Sequence, residues 1–194
     1  MKKQLLITSV IVLTFMASGL TAMAQCSSNL SLNNGNFEQS GWGGWRRING
    51  RERLETSSRN NKTSRTGLVN LFLGSDNQKN YYGAYIGASL TKGRTYILTM
   101  YIKTSPNFGP TNIGEVGVWL KNGKNLTTVD STTFSTLEKY SAVTIKFVAP
   151  KTAVYLPYVR FNGQKATDWV RVDDVTIKGI INPRDCDDMV LNPA

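Results

Sequence analysis

Apolar and polar side chains alternate along most of the chain between residues 30 and 181. A β-strand turns successive side chains to opposite faces, so a period of two predicts strands with one face in a core. The clearest case is the segment 95–103, in which one side holds Tyr96, Leu98, Met100 and Ile102. Similar segments follow at residues 114–121, 140–148, 153–161 and 170–178.

Clusters of turn-forming residues separate these segments, and no segment has the period of an amphipathic helix. The clusters are Thr91-Lys92-Gly93, Ser105-Pro106-Asn107, Lys121-Asn122-Gly123-Lys124 and Asn162-Gly163. Short strands joined by such turns predict an all-β fold, a two-sheet antiparallel β-sandwich. Pro157 lies inside one predicted strand and has no backbone N–H, which predicts an edge strand or a bulge there.

The first 24 residues have the pattern of a secretory signal peptide. Lys2 and Lys3 precede an apolar stretch, and Ala22-Met23-Ala24 offers a cleavage site. A membrane anchor is the weaker alternative, because the apolar stretch is shorter than the roughly 20 residues that span a bilayer. Lipidation at Cys26 is disfavoured by the size of Gln25. We expect a secreted or periplasmic protein with no transmembrane segment after removal of the signal.

The chain has two cysteines, Cys26 and Cys186, one on each side of the strand-rich part. In an exported chain this favours a disulfide over two free thiols. Such a bridge would be worth roughly 5 kcal/mol in the chain-entropy model, and it requires the two ends of the module to meet. The expected organisation is a signal (1–24), a β-sandwich (25–181) and a short tail (182–194).

The chain contains 23 Lys and Arg, 13 Asp and Glu, and no His, for a net charge of +10. Removal of the signal with its two lysines would leave about +8, a charge that favours anionic partners. For an exported protein, acidic glycans or a membrane surface fit better than nucleic acid. The lack of His excludes a Ser-His-Asp triad and the usual imidazole ligands of zinc.

Three motifs follow one another along the chain. They are Asn34-Gly35-Asn36-Phe37-Glu38 with Gly41-Trp42, then Gly93-Arg94-Thr95-Tyr96 entering a strand, then Val172-Asp173-Asp174-Val175. Their order and spacing resemble carbohydrate-binding modules of the family 4, 9, 16 and 22 type. The resemblance implies a galactose-binding-like jelly roll of two antiparallel sheets that binds polysaccharide without catalysis.

The resemblance also implies a structural calcium ion where the first and last strands meet. Glu38 and Asp173 match the side-chain ligands, with Asp174 as substitute, and backbone carbonyls would complete a shell of about six to eight oxygens. The stretch 67–74 has no carboxylate where a further acidic ligand is often found. The alternative for the acidic pair is a hydrogen-bonded cap on the strand ends, with Arg171 neutralising its charge.

Aromatic and basic residues share the outward positions of the predicted strands. They are Tyr101, Lys103, Trp119, Lys121 and Lys146, joined by Arg160 if Pro157 bulges its strand. Aromatic rings stack on the apolar faces of sugars, and nearby cations attract uronates or sulfates. This composition predicts a site for an acidic polysaccharide, and the alternative is a solvated face. The order of the strands decides whether these residues are neighbours.

The glycine-rich loop 41–47 is a second candidate site. Trp42 matches the tryptophan of the family motif, and we expect it in the core. Trp45 lies next to Arg46 and Arg47, and we expect this group to be exposed and to contact a ligand.

The leading hypothesis is a secreted, non-catalytic polysaccharide-binding module. A surface interaction or adhesion protein that kept the sandwich and lost the sugar site is the second hypothesis. The third is a small polysaccharide lyase that uses Tyr101 with Lys103 or Arg160 as base and charge neutraliser. Glycoside hydrolysis is disfavoured because no paired-acid motif is present.

Overall fold

A computed structural model describes residues 27–30, 32–39, 41–49, 53–56, 63–76, 81–109 and 112–180. The predicted signal peptide, the tail and both cysteines lie outside these residues. The described part contains twelve strands and no helix, and it therefore includes no helix that could cross a membrane. The strands are β1 Ser27–Leu30, β2 Arg46–Asn49, β3 Arg53–Thr56, β4 Val69–Gly74, β5 Tyr81–Tyr85, β6 Ala88–Leu90, β7 Thr95–Thr104, β8 Gly114–Asn122, β9 Asn125–Phe134, β10 Ser141–Val148, β11 Ala153–Asn162 and β12 Trp169–Ile180.

The strands form two antiparallel sheets of six strands each. Sheet 1 has the order β10-β7-β12-β4-β3, with β1 also paired to β12. Sheet 2 has the order β2-β5-β11-β8-β9, with β6 also paired to β11. This arrangement confirms the predicted all-β, two-sheet sandwich.

The inner faces of the two sheets form one hydrophobic core, as the alternation predicts. On β7 the side chains of Tyr96, Leu98, Met100 and Ile102 are all buried, whereas the residues between them are partly exposed. Core residues from sheet 2 include Val116, Val118, Tyr155, Val159 and Phe161. Each strand thus turns one set of side chains into the core and leaves the other set on an outer face.

The first and last described strands are neighbours. Ser27 lies opposite Ile180 and Leu30 lies opposite Ile177, in antiparallel register. Beyond β1 the backbone N–H of Val175 also donates to the carbonyl oxygen of Gly35, at 2.8 Å. The two ends of the sandwich therefore meet, which is the arrangement that the resemblance implies.

The prediction that Pro157 marks an edge strand is wrong, because β11 lies in the middle of sheet 2. On one side β11 pairs with β8, and on the other it pairs first with β6 and then with β5. The carbonyl of Pro157 accepts a hydrogen bond from Ile86 in the break between β5 and β6. The missing N–H thus faces an interruption in the neighbouring strand, where a ladder hydrogen bond is not required.

The prediction that Trp45 is exposed is also wrong. Its side chain is only 4% exposed, its ring packs 5.2 Å from that of Phe37, and its Nε1 donates to the carbonyl oxygen of Asn34. Trp42 is only partly buried against the core. The physical reason is the turn at Gly43 and Gly44, whose φ angles of 53° and 89° redirect the chain just before Trp45.

We therefore expect Trp45→Ala to act on stability. Removing a large ring from the core should lower the free energy of unfolding by about 3–5 kcal/mol, whereas Trp42→Ala should cost clearly less because that ring is partly solvated. Equilibrium urea unfolding of both variants tests this expectation. Equal costs for the two variants would contradict the assignment of Trp45 to the core.

Candidate functional site

The predicted ligand residues lie on two opposite outer faces of the sandwich. Arg46, Trp119, Lys121 and Arg160 belong to strands of sheet 2, whereas Tyr101, Lys103 and Lys146 belong to strands of sheet 1. A single binding surface cannot include both groups, because the core separates the sheets. The two outer faces are therefore separate candidate sites.

On sheet 2, Trp119 stacks on Tyr158. The ring centroids are 3.8 Å apart with an interplanar angle of 15°, and Tyr85 approaches Trp119 edge-on at 6.2 Å. Tyr158 is completely buried although it belongs to the outer face. Tyr158 lies opposite Gly117, and a Cβ on Gly117 would overlap the tyrosine ring. Gly117 below and Trp119 above thus hold Tyr158 flat against the sheet.

A charged network adjoins this aromatic stack. Glu115 Oε2 accepts hydrogen bonds from Arg160 Nε at 3.0 Å and Nη2 at 2.7 Å, and Glu115 Oε1 accepts one from the Tyr158 hydroxyl. The Arg160 guanidinium also lies 4.6 Å from the ring centre of Tyr81. Burial raises the pKa of Tyr158, and the hydrogen bond to Glu115 and its negative charge raise that pKa further. The hydroxyl therefore stays protonated and donates to the Glu115 carboxylate.

A groove of about 640 Å³ lies at the other end of the same face. We call it the basic groove, because its lining includes Arg46, Lys121 and Lys124 and has no carboxylate among the described residues. The rest of the lining is Tyr85, Leu126, Val154, Leu156 and three glycines. Leu126 and Val154 are 49% and 47% exposed, so apolar surface and positive charge lie side by side.

The outer face of sheet 1 also has aromatic and basic side chains: the rings of Phe72 and Trp169 lie 6.3 Å apart, and the Arg171 guanidinium lies 4.1 Å from the ring centre of Trp169. The Arg65 guanidinium lies 3.5 Å above the ring centre of Tyr101 and also forms an ion pair with Asp174. One face of the Tyr101 ring is therefore covered. Exposed Lys146 and Lys178 lie on either side of Ile97 at the same level of the sheet.

The two carboxylates predicted to bind calcium hold a loop through its backbone amides. Asp173 Oδ2 accepts the N–H of Arg65 at 2.8 Å and that of Thr66 at 3.2 Å. Glu38 Oε1 accepts the N–H of Leu68 at 2.9 Å and that of Val69 at 2.8 Å. Both side chains thus fasten residues 65–69, which lead into β4, to the two motifs.

These contacts do not fit a calcium shell. Carboxylate oxygens that accept backbone N–H groups point at hydrogens and not at a cation. Asp173 Oδ1 also accepts the N–H of Asp174. No group of three or more acidic, His or Cys residues that could hold a metal occurs in the part of the chain that the structure describes. The hydrogen bonds match the alternative reading, in which the acidic pair caps strand ends. Arg65, and not the expected Arg171, forms the ion pair with Asp174.

Sequence reasoning missed two residues of this site, Tyr158 and Lys124. Tyr158 follows Pro157 directly, and its outward position was obscured by the uncertain register around that proline. A sequence signal does exist, because Gly117 occupies an outward position between Glu115 and Trp119. A glycine at such a position often allows another group to approach the backbone closely.

The sequence matches no protein-family model and no curated protein. Solved structures do match. A stig cyclase, Fisc from Fischerella sp. TAU, bound to (3Z)-3-(1-methyl-2-pyrrolidinylidene)-3H-indole, has a TM-score of 0.59 at 15% identity, over 79% of this chain and 98% of that one. The CBM22-1 xylan-binding domain of Paenibacillus barcinonensis Xyn10C has a TM-score of 0.59 at 13% identity, over 82% and 99%.

A third match is TmCBM61 in complex with β-1,4-galactotriose, with a TM-score of 0.55 at 15% identity, over 75% of this chain and 95% of that one. These similarities show that the chain has the jelly-roll fold of carbohydrate-binding modules. The cyclase shares that fold. At such low identities the likeness defines the fold alone.

We expect the Tyr158 platform to depend on the missing side chain at position 117. Gly117→Ala should force the Tyr158 ring away from the sheet and lower the free energy of unfolding by about 1–3 kcal/mol. Gly87→Ala is the matched control, since a Cβ there meets only Val154 at an ordinary 3.7 Å. Thermal melts of both variants measure the difference, and a harmless Gly117→Ala would contradict the stacked arrangement.

Asp173 should make stability dependent on pH. Burial raises its pKa from 3.8 to about 6 despite the N–H bonds. Because the folded-state pKa is the higher one, the stabilising contribution is full below pH 3.8 and is lost as the pH rises through 6. We expect the free energy of unfolding to fall by roughly 1 kcal/mol per pH unit in this window, and Asp173→Asn to remove that slope.

The same titration decides whether calcium binds there. Urea unfolding is measured from pH 4 to pH 7 in EDTA and again in excess Ca²⁺, with Asp174→Asn as the control that retains Asp173. Bound Ca²⁺ would keep the carboxylate ionised, so stability would rise with pH and with calcium. That outcome would overturn the hydrogen-bonded cap and support the calcium prediction.

Proposed function

We propose that this protein is a non-catalytic polysaccharide-binding module that binds glycan on the outer face of sheet 2 and prefers anionic glycans. The observation that supports this most directly is the indole of Trp119, stacked on a buried tyrosine and adjacent to a groove whose described lining has three cations and no carboxylate. The fold is one that solved carbohydrate-binding modules share. Export through residues 1–24 remains part of this proposal.

Sugar binding is favoured by an apolar surface whose side chains are already ordered before the sugar binds. Trp119 is held by Tyr158 on one side and by the edge of Tyr85. A sugar ring that stacks against this cluster would lose little of its binding energy to ordering the protein. The Arg160–Glu115 pair next to it supplies hydrogen-bond donors and an acceptor for hydroxyl groups.

Charge supports the anionic preference. Arg46, Lys121 and Lys124 line the groove without a carboxylate among them, and the chain as a whole is strongly basic. Carboxylate or sulfate groups on a glycan would meet these side chains in charge-assisted hydrogen bonds. The same surface would repel a basic ligand.

A non-catalytic role is favoured by the positions of the candidate catalytic residues. Of the two pairs considered for a lyase, Tyr101 and Arg160 lie in different sheets. Tyr101 and Lys103 share the outer face of β7, where Arg65 covers the Tyr101 ring. Tyr158 does lie next to Arg160 and Glu115, but its pKa is raised and its proton is donated to Glu115. A tyrosine in this state is a poor general base.

A second candidate function is binding of a small apolar molecule in the basic groove. Two observations favour it: the exposed Leu126 and Val154 in the lining, and the similarity to a cyclase that was solved with an indole compound. Binding of small indoles in isothermal titration calorimetry, without any response to glycans, would select this function.

Affinity electrophoresis against neutral, uronate-containing and sulfated polysaccharides tests the proposal. We expect retardation by at least one glycan, and we expect Trp119→Ala to weaken it by about tenfold, since an aromatic contact is worth roughly 1.5 kcal/mol. Tyr101→Ala is the matched control on the other sheet and should retain binding. Thermal melts establish that both variants are folded.

The reverse pattern, with loss of binding in Tyr101→Ala only, would move the site to sheet 1. No retardation on any glycan by the wild-type protein would remove the proposed function. Capture of a protein partner without a glycan response would instead select the adhesion hypothesis.

A further inference from the structure

The four cations on the outer face of sheet 2 are not equivalent. Arg160 donates two hydrogen bonds to Glu115, and their side chains are only 27% and 16% exposed. The Tyr158 hydroxyl donates a hydrogen bond to the other oxygen of the Glu115 carboxylate. The Arg160–Glu115 pair thus carries no net charge, and it offers no unpaired cation to an anionic sugar.

The basic groove has the opposite character. Among the described residues, Arg46, Lys121 and Lys124 form no ion pair, and no acidic residue lines the groove. Three unpaired cations around one apolar pocket provide a site for one or two anionic substituents.

The aromatic stack separates the two ends. Glu115 and Lys121 lie six residues apart on β8, which corresponds to about 20 Å along a strand. Gly117 and Trp119 lie between them on the same face, with Tyr158 across on β11. Charges are screened over about 8 Å at physiological ionic strength, so the two ends act on a ligand independently.

We infer that the glycan is sparsely charged, with an anionic substituent in the basic groove and neutral sugar over Trp119 and the Arg160–Glu115 pair. This inference rests on the proposed function and specifies its ligand. A uniform polyanion would place a negative group against Glu115, whereas a neutral glycan would leave the groove cations without a partner.

Polymers of graded charge test the inference. One series is polygalacturonate with none, about half and nearly all of its carboxylates methyl-esterified, and a second is hydroxyethylcellulose beside carboxymethylcellulose of low and high substitution. We expect the intermediate member of a bound series to bind about three- to tenfold more tightly than both extremes, the size of one charge contact. Affinity that rises in step with charge density would overturn the inference.

Equal binding of all members, including the neutral ones, would also overturn the inference while leaving the proposed function intact. No binding of any polymer in either series would count against both. The wild-type protein therefore distinguishes the two failures without any substitution.

Variants test how the basic groove and the Arg160–Glu115 pair each affect binding of the charged polymers. The double variant Lys121→Gln and Lys124→Gln should reduce binding of the intermediate polymer to the level of the neutral one. Lys146→Gln with Lys178→Gln, the same charge change on sheet 1, should leave it unchanged. Glu115→Gln should strengthen binding of the fully ionised polymer by about three- to tenfold. An unchanged affinity in Glu115→Gln, with an unaltered melting temperature, would overturn the role of this carboxylate.

Discussion

Burial of every second side chain is the constraint on which the rest of this structure depends. Once Leu98, Met100, Val116 and Val159 are placed in the core, the residues between them must face outward on one sheet or the other. The core thereby assigns each aromatic and basic residue to one of two opposite faces. It places Tyr101 and Trp119 on opposite faces, and it places Trp119 and Tyr158 on the same face.

On the outer face of sheet 2 a second level of packing is added to the sandwich. Gly117 leaves a space in which the Tyr158 ring lies flat, and Trp119 covers it. The buried hydroxyl then holds Glu115, which in turn holds Arg160. The space at Gly117 thus allows both the aromatic stack and the Arg160–Glu115 ion pair to form. The unpaired cations Arg46, Lys121 and Lys124 lie at the far end of the face.

The acidic motifs serve the fold in a way that their residue types alone do not reveal. Glu38 and Asp173 offer oxygens that suit a cation or an amide equally well. In this structure they bind the backbone of residues 65–69, so that the first and last motifs together position the entry to β4. Neither carboxylate faces the outer side of sheet 2, where the proposed ligand site lies.

The sequence by itself determined the class of fold and the inward faces of β7 and β8, because these follow from local periodicity, and the order of its motifs implied that the first and last described strands are neighbours. It also supplied residue types that suit the proposed glycan site. Only the tertiary structure decided which of those residues are neighbours, since strand order depends on pairing between distant segments. The burial of Trp45, the central place of β11 and the stack on Tyr158 all depend on such long-range contacts, and short-range patterns do not contain them.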